Sequence, residues 1–355
     1  MSGAEGFWRG RRVFLTGHTG FKGAWLALWL KELGAQVAGF ALAPDTEPSL
    51  FAAARVDGVL THEFADVRDL GALRRSLGRF RPEVVFHLAA QSLVLRAHRE
   101  PIETFATNVM GTANLLEALR EGGGTRAVVV VTSDKCYAPL AQRRPFREED
   151  PLGGEEPYSA SKACAKIVAA SMRQSYFSGS ATLVATARAG NVIGGGDWAE
   201  NRLVPDCVRS FSRGETATLR NPLARRPWQH VLEPLAGYLL LAERLHGGDR
   251  SAATGWNFGP AEEDQCSVGE VATKVAGLWG GGARWEHAGA AGAAESPFLM
   301  LDAQRAQTRL GWRPRLGLDA ALAWTVAWYR DARAGKPAAA LCEDQIRRYA
   351  TASAA

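Results

Sequence analysis

The sequence predicts an α/β fold, a doubly wound parallel sheet with a smaller C-terminal lobe. Three observations carry that expectation. Short apolar runs (Val13-Phe14-Leu15, Gln36 to Phe40, Val84 to Leu88, Ala127 to Val131) alternate with helical periodicity from Arg12 to about Thr132, as strands covered on both faces do. A glycine-spaced string follows the first run directly. The helix it opens, Gly23 to Leu33, is apolar on nearly every side through Trp25, Leu26, Leu28, Trp29, Leu30 and Leu33 and stops at Gly34, which suits burial against a sheet.

Further along, a long helix starts at about Pro157, and Thr182 to Arg188 reads as another strand. The alternation then degrades. Gly194-Gly195-Gly196, the Pro-rich Asn221 to Pro234 and the Gly/Ala-rich Gly280 to Ala294, read as a mobile loop, punctuate short segments. Trp256-Asn257-Phe258 reads as one more strand and Leu318 to Arg333 as a C-terminal helix. The expected division is a nucleotide-binding unit over 1–190, with a strand and helix returning from about 225–260, and a second lobe mainly over 191–355. A chain of 355 residues can bury such a core without metal or disulfide.

The charge balance, 42 Lys+Arg against 37 Asp+Glu, gives +5 with the cations scattered. That fits anionic small molecules better than nucleic acid. Five separated cysteines, without a Cys-x-x-Cys pair or a His cluster at ligand spacing, point to a reduced compartment and no metal. Neither a leader nor a bilayer-length apolar run stands out, so the expected location is cytoplasmic.

The string Thr16-Gly17-His18-Thr19-Gly20-Phe21-Lys22-Gly23 sits between strand and helix, where glycines permit a tight turn, approach to a pyrophosphate and close helix packing, as in a Rossmann dinucleotide site. The second strand runs out into Ala41-Leu42-Ala43-Pro44-Asp45 with no Arg or Lys nearby to hold a 2′-phosphate, which favours NAD over NADP. Asp66, after a third short strand, has two readings, a contact to the adenine amino group or an N-cap for the following helix.

Tyr158-Ser159-Ala160-Ser161-Lys162 puts a phenol and an ammonium on one helix face. A tyrosine must lose roughly three pKa units, about 4 kcal/mol, to act as a base at neutral pH, and a cation one turn away contributes to that.

Together these motifs resemble the extended short-chain dehydrogenase/reductase superfamily. His87-Leu88-Ala89-Ala90-Gln91, Asn108-Val109-Met110-Gly111-Thr112, Val131-Thr132-Ser133-Asp134-Lys135 and Leu310-Gly311-Trp312-Arg313-Pro314 extend the likeness over roughly residues 10 to 330. Ser133-Asp134-Lys135 resembles the strand end of the sugar-nucleotide 4,6-dehydratases. Lys in place of a Glu found in dTDP-glucose members is similar to the CDP-glucose branch.

The resemblance implies NAD held by Gly17, Thr19, Gly20, Phe21, Gly23, Asp66, Val67, Leu88, Ala89, Ala90, Gln91, Asn108, Tyr158 and Lys162. It implies a substrate, CDP-glucose, held by Asn191, Arg202, Arg226 and His230, and a role in deoxysugar biosynthesis. Oxidation at C4 acidifies the C5 hydrogen and permits loss of the C6 hydroxyl. Tyr158 would take the C4 hydroxyl proton, with Lys162 tuning it and Ser133 bonding the oxygen. Asp134 and Lys135 would share the acid and base work, their assignment open. Rival readings are a 4-epimerase, a dehydratase of dTDP-, UDP- or GDP-sugars, and a non-catalytic NAD-binding regulator. A homodimer or tetramer is expected, pairing through helices at about 101 to 121 and 157 to 178, with Val109, Leu116, Ile167, Val168 and Met172 facing outward.

Overall fold

The computed structural model describes residues 4–139, 144–289 and 299–352. Seven strands form one parallel sheet: β1 (Arg12–Thr16), β2 (Gln36–Ala41), β3 (Thr61–Phe64), β4 (Val84–His87), β5 (Ala127–Val131), β6 (Leu183–Ala189) and β7 (Gly255–Phe258), in the order β7-β6-β5-β4-β1-β2-β3. The expected runs all became strands, and Trp256 to Phe258 lies in β7 at the sheet edge. The chain builds outward from β1 in one direction and then from β4 in the other. A crevice therefore opens at the carboxyl ends of β1 and β4, where ligands bind in such sheets.

Alternation along β1 explains the two layers. Val13 and Leu15 enter the core on one face with Trp25, Leu28 and Trp256, while Phe14 enters the other with Phe40, Leu115, Leu119 and Val130. Helix Phe21–Glu32 is buried on nearly every side because it is covered twice. It lies on the sheet, and helix Ala338–Thr351, which the sequence did not reveal, lies on it through a Trp29–Tyr349 edge contact at 5.6 Å.

The later segments form helices Leu203–Ser212 and Val268–Trp279 and three two-stranded pairings, including Ala217–Leu219 with Trp285–His287. That last strand replaces part of the expected mobile loop. The remainder of that stretch, from 290, lies outside the described residues. The three-glycine run is no flexible turn either, since a Cβ on Gly195 would fall 2.0 Å from the Trp328 ring. Trp25 Nε1 donates to Gly195 O at 3.0 Å. Glycine is there so that the backbone can cross between two tryptophans.

Of the residues expected to face outward for pairing, Leu116 is fully buried and belongs to the core. Ile167 is exposed, and Met110 and Ile102 are exposed on the same pair of elements. Among the described residues no helix is long and apolar enough to cross a membrane.

Candidate active site

The glycine loop closes tightly on β1 and β4. Gly17, at φ +77°, lies so near the next strand end that a Cβ would come within 2.6 Å of Ala89 N, and a Cβ on Gly23 would fall 2.0 Å from Gly17 O. Gly20 is different: it is exposed, its added Cβ would meet little, and it caps helix Phe21–Glu32 without a side-chain hydrogen bond. The first amides of a twelve-residue helix thus open onto the crevice, an arrangement suited to a pyrophosphate. Leu42 and Phe64, both exposed, stand at the ends of β2 and β3 as apolar surface.

Behind the loop, Thr16 Oγ1 meets His87 Nδ1 at 2.7 Å, and His87 Nε2 meets Thr112 Oγ1 at 3.1 Å. Burial, then the Lys162 charge, pushes His87 down to about 3, so it is neutral. It ties the β1 and β4 ends to the helix that follows.

At the β5 end, Ser133, Asp134 and Tyr158 are all buried. Ser133 Oγ donates to Asp134 Oδ1 at 2.8 Å and also bonds the Tyr158 phenol. Asp134 Oδ2 has no hydrogen-bond partner among the described residues, and burial raises the carboxyl above its ordinary range despite Lys135 and Arg226 nearby. Lys135 is half-buried, and its backbone N–H donates to Ser133 Oγ at 3.3 Å. Helix Pro157–Met172 carries Tyr158 and Lys162 inward. Its start is fixed by Pro157 and by Glu156, whose carboxylate accepts from the Tyr158 and Ser159 amides at 2.7 and 2.8 Å.

Burial drives the two inward side chains in opposite directions, each toward its neutral form. Tyr158 is pushed up to about 12, and Lys162 is pushed down to about 7, helped by the charge of Lys22. The sequence offered Lys22 only as a spacer in the glycine string. It is a second lysine of the crevice, lowered to about 8 by burial first and then by Arg202, within the fields of Asp134 and Asp197. A charge standing between Phe21 and Gly23 was the available signal.

Several expected ligand contacts are taken by the scaffold instead. Asn108 is buried; its amide donates to Gln91 O at 3.0 Å and Ser161 Oγ at 2.8 Å, and its oxygen accepts from Gln91 N at 2.9 Å. It splices the β4 loop to the Tyr158 helix. Gln91 spends its own side chain on Leu93 and Thr104. His230, expected at the substrate, is fully buried between the edges of Trp25 and Trp324 and accepts from Leu232 N at 3.3 Å, so no surface is left for a ligand.

Asp66 is not the helix N-cap. Asp69 is, accepting from Ala72 N at 2.9 Å, while Asp66 accepts from Arg68 N and Nε at 2.8 Å each. The expectation that no cation lies near the end of β2 also fails, because the fold brings Arg96 to 3.9 Å from Asp45. Glu100 holds that guanidinium at 2.7 Å.

Thr19 donates to Leu42 O at 2.9 Å, and half-buried Phe21 lies beside Gly194. Val67 is buried, and Leu88, Ala89 and Ala90 line the β4 exit half-exposed. Arg226 is buried, with Nη1 donating to Arg225 O, while Arg202 reaches Asp197 at 3.7 Å. Asn191 is half-buried where its carbonyl accepts from Gln229 N at 3.0 Å.

A family model described as GDP-mannose 4,6 dehydratase matches residues 14–325. The chain belongs to this dehydratase family. Within the 4,6-dehydratases, it is 46% identical to the CDP-glucose 4,6-dehydratase of Salmonella typhimurium over 98% of this chain and 99% of that one. The solved dTDP-glucose 4,6-dehydratase of Streptomyces venezuelae, with NAD bound, is 26% identical at a TM-score of 0.76, covering 91% and 98% of the two chains. A UDP-glucose-4-epimerase from Stenotrophomonas maltophila with bound NAD superposes at 0.81 with 20% identity over 92% of this chain and all of the other, a likeness of fold.

Proposed function

We propose that the chain is an NAD-dependent lyase that dehydrates CDP-D-glucose to CDP-4-keto-6-deoxy-D-glucose, for deoxysugar biosynthesis. The observation that carries the substrate is the 46% identity to the Salmonella CDP-glucose 4,6-dehydratase along nearly the whole of both chains. The chemistry is supported by a buried strand-end carboxyl beside the Tyr158–Ser133 pair.

The site fits NAD: a glycine loop opens an uncapped helix end at Gly20, with apolar Leu42 and Phe64 at the adenosine end. NAD held there would supply the hydride chemistry that links oxidation at C4 of the sugar to reduction at C6. Tyr158 accepts the C4 hydroxyl proton, and Ser133 holds that oxygen. With burial pushing Tyr158 up to about 12, its fall toward neutrality must come from positive charge in the loaded site, which Lys162 and Lys22 supply when anionic diphosphates favour their protonated forms.

Asp134, whose carboxyl burial raises, protonates the leaving C6 hydroxyl, and Lys135 takes the C5 proton. Arg226 and Arg202 face the substrate diphosphate, with Asn191 beside them. Asp66 faces the adenine. The division of labour follows the chain, with 1–190 and the returning β7 region binding NAD and the remainder mainly binding the nucleotide sugar. Exposed Ile102, Met110 and Ile167 support a homodimer paired through these helices. The free cysteines accord with a cytoplasmic enzyme.

Purified protein given NAD and, separately, CDP-, UDP-, dTDP- and GDP-glucose should form the 4-keto-6-deoxy product with CDP-glucose far faster than with the others. Equal turnover across the panel would remove the cytidine assignment. If Lys135 is the base, Lys135→Ala should block elimination and Lys135→Glu should restore part of it. Glu below Ala would instead make Lys135 a cation that positions the sugar. Sedimentation giving monomer at micromolar concentration would refute the dimer.

A further inference from the structure

Away from the crevice, a cavity of about 410 Å³ opens between helix Pro157–Met172 and the β6–β7 edge of the sheet. Among the described residues four cations line it, Lys166, Arg173, Arg188 and Arg305, against one carboxylate, Glu148. None of the residues assigned to catalysis is among them.

The balance of partners is uneven. Glu148 Oε1 already accepts from Asn257 N at 2.9 Å, and Arg305 lies 3.6 Å from Oε2 while pairing with Glu149 outside the cavity. Arg188 is fully buried. Its Nη1 donates to Tyr137 Oη and to Asn257 Oδ1, but Nε and Nη2 have no hydrogen-bond partner among the described residues. Nη2 lies against Gly255, another wall residue, where a Cβ would fall 1.9 Å away. Lys166 Nζ reaches a backbone carbonyl, Glu148 O, at 3.5 Å and lies 5.9 Å from the centre of the Tyr137 ring. Burial, then the Arg188 charge, pushes Lys166 down to about 8.

Buried guanidinium N–H groups without acceptors are costly and call for a partner. Water can accept those bonds, but it cannot offset three unbalanced charges. We propose that this cavity is a second anion site that binds a phosphate group, free or as a phosphomonoester, held by Arg188, Arg173 and Lys166. Its volume exceeds one phosphate and is in the range of small-ligand pockets. The site lies one turn beyond Lys162 on the same helix, and Tyr137, two residues after Lys135, forms the partner of Arg188. Ile167 at its mouth belongs to the face proposed for pairing.

The test is titration calorimetry on the full chain loaded with NAD and CDP, so that the crevice is filled. Inorganic phosphate and glucose 1-phosphate are the two probes, with sedimentation recording the oligomeric state. Binding should weaken by about tenfold in both Lys166→Gln and Arg173→Gln, while turnover measured without phosphate stays unchanged. Tighter binding of glucose 1-phosphate identifies a phosphomonoester site, and equal binding a site for phosphate alone. No heat from either probe, or the same affinity in wild type and both variants, overturns the proposal. Because the variants lie outside the crevice, this result is independent of which nucleotide sugar the enzyme uses.

Discussion

Asp134 and Glu233 are both buried carboxyls raised by their surroundings, yet they are equipped differently. Glu233 Oε1 accepts from Arg315 N and Leu316 N at 3.0 and 2.8 Å, and Oε2 accepts from the Tyr349 hydroxyl at 2.8 Å. Every oxygen is satisfied from within the chain, and the carboxyl fastens the helix Ala338–Thr351 to the core. Asp134 has one hydroxyl on Oδ1 and, among the described residues, nothing on Oδ2. A carboxyl with both oxygens engaged is fitted to hold structure, whereas one with an unmet oxygen beside a crevice is fitted to exchange a proton with something that arrives.

The largest effect that would break this contrast is catalytic. Asp134→Asn keeps shape but cannot supply an acidic proton, so turnover should fall by about 10²–10⁴-fold with reduced cofactor accumulating in a single-turnover mixture. Tyr158→Phe should fall as far with NAD affinity nearly unchanged and no reduced cofactor. Normal product formation by either variant would cancel its assigned role. Neither should lose much stability.

Glu233→Leu inverts that pattern. Two amides and a hydroxyl lose their acceptor, so chemical denaturation should show a loss of about 3 kcal/mol with activity per folded molecule retained. A stable but inactive variant would mean that Glu233 is no mere fastener.

A smaller effect concerns pH. Burial pushes His230 down to about 3 from 6.5, so between those values the unfolded chain binds a proton that the folded chain does not, and stability falls as pH drops. Glu233, raised to about 7 from 4.5, has the opposite sign: the folded form binds the extra proton, and its contribution falls as pH rises through that window. Comparing wild type with His230→Phe isolates the histidine, and the loss between pH 7 and pH 5 should shrink by about 2 kcal/mol. An unchanged loss would show that His230 is not held neutral.

The smallest contrast sets Asp69 against Asp66. Removing the cap with Asp69→Ala should cost about 1 kcal/mol and leave NAD binding alone. Asp66→Asn should do the reverse, and calorimetry with NAD showing no change would strip Asp66 of the adenine contact.

What was legible in the sequence follows from the range of the forces involved. Most strands of the sheet and the glycine turn are local patterns, short continuous apolar runs and the backbone freedom of Gly17, and they read directly. Asn108, His230 and Leu116 did not, because whether a polar or apolar group meets ligand or core depends on what packs over it. Nothing near Asn108 in sequence announces Ser161 as its partner. Lys22, Arg96 and Glu233 were passed over for the same reason: each acts through groups distant in the chain. The helix Ala338–Thr351 does carry a buried stripe at helical spacing, Ala338, Cys342, Ile346 and Tyr349, but the stripe is thinned by small and polar members, and the surface it covers, at Trp29, lies at the other end of the chain.

That docking bears on how the molecule is made. Trp29 is laid down early and Tyr349 late, so a growing chain carries its tryptophan-rich first helix uncovered on the outer side during most of its synthesis. The sheet can assemble meanwhile, but the hydrophobic seam waits for the ribosome to deliver residues 338–351. Until then, the nascent protein presents a surface that chaperones bind and that neighbouring chains could adhere to.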